Sequence, residues 1–231
     1  TMVYTEGLFI GLAFGALALC QRGHWVWASI LGLLAAWTRA HGAALALPLL
    51  IFWLLQIKWR EPLKPQITWA WIVRGALATL PLAGYFLWRY SALGLGWSEL
   101  QEYYFGRGLV PIGRSIEAWT YAFEYARTMG GGPGRVYLAI EVGSVLLAFV
   151  ASLWLVRRDP ATALFSLAIV LLSVFSGSAG SMARYMLIVP AMYIFLAQLG
   201  KNKTFDRAWT ILSILLLGME ASLFAAGMWV G

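Results

Sequence analysis

Hydrophobic runs of near-membrane length recur from one end of this chain to the other, and nothing constrains its fold more. Runs cover residues 7–20, 25–37, 43–55, 69–88, 136–156, 161–175, 182–199 and 208–230. A chain of 231 residues that is 61% hydrophobic and 12% charged is far from the roughly 25% charged residues of a soluble domain. The apolar runs are spread evenly, so a soluble domain with one anchor is excluded. The expected fold is all-α: a polytopic membrane helix bundle of about eight transmembrane helices, forming one membrane domain over residues 1–231. Thirteen Trp and ten Tyr suit many water–lipid boundaries. Runs 7–20 and 25–37 fall short of the ~20 residues of a full crossing, so they borrow flanking polar residues, meet thinned bilayer or are half-spanning.

The net charge of +7 is split among short loops, which points to topology and lipid headgroups rather than nucleic acid. If successive loops alternate sides, Arg22, then Lys58, Arg60 and Lys64, then Arg157 and Arg158, then Lys201, Lys203 and Arg207 share one side. All the lysines fall there, so it is assigned to the cytoplasm. The long stretch 89–135 then lies outside the plasma membrane of a bacterium or archaeon, or in the ER lumen of a eukaryote. Within it, residues 97–105 look helical and aromatic. Residues 114–128 place Ile116, Trp119, Ala122, Phe123 and Ala126 on one stripe, as in an interfacial helix, with Arg114–Glu117 and Glu124–Arg127 as i, i+3 pairs. Gly130 to Gly134 is expected to be a flexible return. It follows no strand, so it is no nucleotide loop. Pro81 is expected to kink the fourth run.

Cys20 is alone, and His24 and His41 are too few for a histidine metal site; no cofactor is evident. Asp159 and Asp206 sit in basic turns and read as solvated loop charges. Other charges carry open alternatives. Glu6 is either an acid at the positive end of a helix capped by Thr5, or a carboxylate that orients or deprotonates a hydroxyl. Arg39, in the short turn Thr38-Arg39-Ala40-His41-Gly42, either snorkels or grips a phosphate with its planar fork. Arg184-Tyr185, after a Gly/Ser loop, poses the same choice. Glu141 and Glu220 lie within runs, as hydrogen-bonded structural acids or as a proton or ion path.

Four segments taken in order resemble a known pattern: Tyr4-Thr5-Glu6, Thr38-Arg39-Ala40-His41-Gly42, Phe105-Gly106-Arg107-Gly108 and Ser181-Met182-Ala183-Arg184-Tyr185. Together the set resembles the second mannosyltransferase of GPI-anchor synthesis and its prokaryotic relatives, in the glycosyltransferase C superfamily. The resemblance implies an enzyme that moves a sugar, mannose, from a polyprenyl-phosphate donor to an acceptor at the extracytoplasmic face. It implies Arg39 and Arg184 at the phosphate, Tyr4, His41, Arg107 and Tyr185 in the substrate site, and Glu6 as a substitute base. The acid that this superfamily carries in its first outer loop has no match here. That departure implies either a missing N-terminal part that supplies the base or a chain without activity. The partners implied are membrane lipids, the sugar donor, and either protein subunits or a missing N-terminal segment. A non-catalytic subunit of a larger complex and a lipid or solute transporter stand as alternatives.

Overall fold

The computed structural model describes residues 5–57, 67–108, 110–128 and 131–227, and every element among them is helical. The basic segment with Lys58, Arg60 and Lys64, and the residues Tyr4, Gly130 and 228–230, lie outside the described residues.

Helix α1 (Glu6–Gln21) pairs with α2 (Trp25–Thr38); a 3-10 turn (Ala40–Leu45) then leads into α3 (Ala46–Leu54). Helix α4 (Trp69–Arg89) packs on α2, the 3-10 turn and α3. Its start is fixed by Thr68, whose hydroxyl accepts from Trp71 N at 3.2 Å. Helices α5 (Ala92–Phe105) and α6 (Ile112–Thr128) form the long loop, and α6 lies against α7 (Gly131–Leu155). Helix α8 (Pro160–Val174) starts on Pro160 behind the Asp159 cap, so Asp159 is a capping residue as well as a loop charge. Helices α9 (Met182–Met186), α10 (Pro190–Leu199) and α11 (Lys203–Ala225) close the chain.

Among the described residues three helices, α4, α7 and α11, are long and apolar enough to cross a membrane by length and composition; the other apolar segments run 10–17 residues. The chain is thus all-α and suited to membrane association. Run 182–199 is not one helix. Pro190 lacks an N–H and holds Val189 in extended backbone (φ −87°, ψ 109°), so the run divides into α9 and α10. The last run begins a turn early, at Lys203, because Asn202 caps it through bonds from Thr204 N and Phe205 N. Gly131 to Gly134 is not a flexible return but the first turn of α7.

The packing is inverted relative to a water-soluble protein. Ala13, Ala16, Ala28, Ala35, Ala148, Ala151 and Ala163 are completely buried, while Leu8, Trp27, Leu153 and Leu215 are largely exposed. Small residues let helix backbones approach, and large ones gain nothing from burial when lipid is the solvent. A Cβ on Gly84 would strike the Leu33 side chain, and one on Gly32 would sit 2.7 Å from Pro81 Cγ, so α2 and α4 meet at glycine contacts. The main core joins α1, the 3-10 turn, α7, α8, α9 and α10 around Phe9, Leu45, Phe165, Ile169 and Met186. On α6, Ser115 and Ala126 are buried and Trp119 is half-buried, while Ile116 and Phe123 are exposed. Arg114 reaches across to Glu102 at 2.7 Å rather than being held to its own helix.

Candidate functional site

Among the described residues the two buried acids, Glu6 and Glu141, both meet the segment that carries Ser181 to Arg184. Helix α1 opens with Glu6. Thr5 occupies its N-cap but makes no side-chain cap bond, so the expected Thr5 cap is absent and Glu6 is free to turn toward other partners. Arg39 leaves α2 in extended backbone (φ −152°, ψ 143°), which throws its side chain back toward α1. The turn that follows is tight: a Cβ on Gly42 would collide with the backbone of Ala35 and Ala36. That glycine is what allows Arg39 and His41 to sit so close to the end of α2.

Arg107 arrives from the long loop, just after Gly106, which takes left-handed backbone (φ 62°) to end α5. Gly106 touches Gly177 (φ 92°), where a Cβ would strike the Gly106 carbonyl; two glycines therefore permit the contact between the α5–α6 loop and the α8–α9 loop. The join is stitched by Gly108 N to Ser176 O at 3.2 Å, Gly177 N to Ser115 Oγ at 3.0 Å and Trp119 Nε1 to Val174 O at 3.3 Å.

Arg184 and Tyr185 come from α9. Glu6 Oε1 lies 2.6 Å from Arg39 Nη1 and 3.1 Å from Arg184 Nε, so one carboxylate oxygen bridges two arginines from separate turns. Tyr185 is the hub. The guanidinium carbons of Arg39, Arg107 and Arg184 stand 5.1, 4.9 and 5.3 Å from its ring centre. Arg107 Nη1 donates to its hydroxyl, and Arg184 Nη2 donates to the same oxygen at 3.4 Å. Arg107 also donates to Gly180 O at 3.4 Å. The His41 ring lies over Tyr185 at 6.0 Å, with 30° between planes.

His41 Nε2 is 3.1 Å from Ser173 Oγ, whose single proton goes to Ile169 O at 2.8 Å. That leaves Nε2 as the donor and Nδ1 unprotonated. Burial, with Arg39 and then Arg107 adding repulsion, pulls the His41 pKa down to about 3, so the ring is neutral. Burial followed by repulsion from Arg184 and Arg39 also lowers the Arg107 pKa from its ordinary value. Among the described residues, three cations and one contacting carboxylate lie within a few ångströms, a cationic cluster of the kind that receives anions.

The structure therefore brings together Glu6, Arg39, His41, Arg107, Arg184 and Tyr185. It does not bring Glu220 to them: that residue lies on α11, a helix that buries none of its residues. The role of Glu141 was open in the sequence. Its buried carboxylate accepts from Ser181 N at 2.8 Å and Ala183 N at 2.6 Å, capping the start of α9. It thus holds the backbone directly ahead of Arg184 and Tyr185, with Ser181 in left-handed backbone (φ 63°) and Tyr137 beside it. Ser173, Ser115 and Tyr137 carry no signal in the sequence, since a hydroxyl on an apolar helix reads as filler until its neighbour is known. No family model, curated protein or solved structure matches this chain.

Proposed function

We propose that the chain is a membrane glycosyltransferase that moves a sugar, mannose by resemblance, from a polyprenyl-phosphate donor to a lipid-linked or other acceptor at the extracytoplasmic face. The observation that carries the reading is the convergence of Arg39, Arg107 and Arg184 on Tyr185, with Glu6 bridging Arg39 and Arg184. A phosphate would be held by arginines that already face one another across a single ring. Three planar forks suit the oxygens of a phosphate better than point charges would.

In such a transfer the acceptor oxygen forms a bond to the anomeric carbon as the bond from that carbon to the phosphate oxygen breaks. The polyprenyl phosphate departs with the electron pair, and the arginines stabilise the charge that grows on it. The acceptor proton passes to a base. Glu6 touches two of the phosphate-binding arginines, so a phosphate that takes over those contacts releases its carboxylate toward the acceptor. Eight crossings of a plasma or ER membrane, with the α5–α6 segment outside, belong to the same proposal. The short helices then cross thinned or protein-covered bilayer.

The test is transfer of labelled mannose from polyprenyl-phosphate mannose in membranes holding the full chain. Arg39→Ala and Arg184→Ala are each expected to lose activity by about 10²–10³-fold while the protein still folds. Unchanged transfer in both variants would remove the assignment. A second reading, a subunit of a membrane complex, is favoured by α11, which is apolar and buries nothing within this chain. It predicts a fixed partner on co-purification and no turnover.

A further inference from the structure

A second cationic feature lies apart from the arginine corner, in an open groove between α6 and α7. Its mouth carries Arg127, in the last turn of α6, and Arg135, one turn into α7. Its walls are Phe123 from α6 and Leu138, Ala139 and Val142 from α7. Arg135 Nε donates to Ala126 O at 3.2 Å and its Nη2 to Arg127 O at 3.4 Å. Those bonds engage two of the five N–H groups of the guanidinium and fix it at the mouth.

Arg135 stands at the start of the apolar stretch Gly134–Leu155, which is long enough to cross a bilayer. Leu138, Ala139 and Val142 follow it at i+3, i+4 and i+7, one stripe running about 10 Å along the helix. In a bilayer crossed by that stretch, the cations would stand at headgroup level and the apolar wall would continue to acyl depth. The groove lining holds both arginines and no acid. Its volume of about 390 Å³ exceeds what a lone ion needs and fits a headgroup with the top of a chain.

We propose that this groove seats one anionic phospholipid of the bilayer, its phosphate at Arg127 and Arg135 and an acyl chain along Leu138, Ala139 and Val142. The seat serves the leaflet that meets the first turn of α7. It anchors α6, which has few buried residues of its own, against the membrane. The inference stands apart from the sugar-transfer reading, because it needs no turnover.

The experiment uses the full chain in nanodiscs of mixed phosphatidylglycerol and phosphatidylcholine, with native mass spectrometry counting the lipid retained on release. The expected result is one retained phosphatidylglycerol. Arg127→Gln/Arg135→Gln together should lower its preference over phosphatidylcholine by roughly tenfold or more. Ala139→Trp fills the groove with both arginines in place and should also expel the lipid, so it carries the test if the double variant fails to fold. Arg114→Gln removes a cation from the same helix outside the groove and should change nothing. Retention in Ala139→Trp, or equal loss in Arg114→Gln, would overturn the proposal. So would displacement by excess polyprenyl phosphate, which would give the seat to the sugar carrier, or by inorganic phosphate, which would show no need for an acyl chain.

Discussion

The arginine corner and helix α11 belong to one chain and are built on opposite rules. At the corner, Glu6, Glu141, Arg39 and Arg184 are largely removed from the surface, and each polar group meets another. Along α11, 23 residues of apolar sequence bury nothing. In water the two would be reversed. The difference teaches what burial means in a lipid solvent. Apolar side chains are equally at home inside or outside, whereas an ionised group is tolerated only where the protein supplies its partners.

The sharpest way to break the comparison is Glu6→Ala. It leaves Arg39 and Arg184 without their bridging carboxylate in a corner already rich in cations, and a loss of about 3–5 kcal/mol is expected for a broken buried pair. Unfolding in detergent measures it, and added inorganic phosphate should return part of the loss. Glu141→Leu strips the acceptor from Ser181 N and Ala183 N, for an expected cost of about 1–3 kcal/mol. It should also raise hydrogen exchange at those amides; unaltered exchange would show that the cap is not needed.

Acid separates the regions next. The folded pKa of His41 is about 3, below the ordinary 6.5, so the unfolded state binds more protons between those values. The His41 contribution to stability is complete above pH 6.5 and declines as pH falls toward 3. His41→Asn should flatten that acid limb of an unfolding profile, while a change on α11 should leave its slope untouched. Packing separates the regions last: Ala148→Leu, at a fully buried site, is expected to cost about 1–3 kcal/mol, and Leu215→Ala on α11, the smallest effect, less than about 0.5 kcal/mol. A large loss from Leu215→Ala would mean that α11 packs on something other than lipid.

Much of this was legible in the chain. The apolar runs predict the helices to within a few residues in most cases, because hydrophobic length and breakers such as Gly23 and Pro160 act locally. The arginines and acids that stand at run ends were visible as candidates one at a time, since a charge beside a hydrophobic run always demands an explanation. The split at Pro190 could not be read, since Pro81 stands inside an unbroken α4 and only the packing separates the two cases. Nor could the place of Ser115: it faces protein because the α8–α9 loop offers Gly177 N there, and no periodicity carries that fact.

The sequence by itself determined that the chain is helical, suited to a membrane and rich in boundary arginines, since these follow from composition and local periodicity. Only the tertiary structure decided that Arg39, Arg107 and Arg184, from three distant segments, share one tyrosine and that Glu6 bridges two of them. It also decided that Glu141 serves the α9 backbone while Glu220 stays apart. The reason is geometric. Electrostatic excess and hydrogen-bond satisfaction are properties of a neighbourhood, and a neighbourhood exists only once the helices have packed.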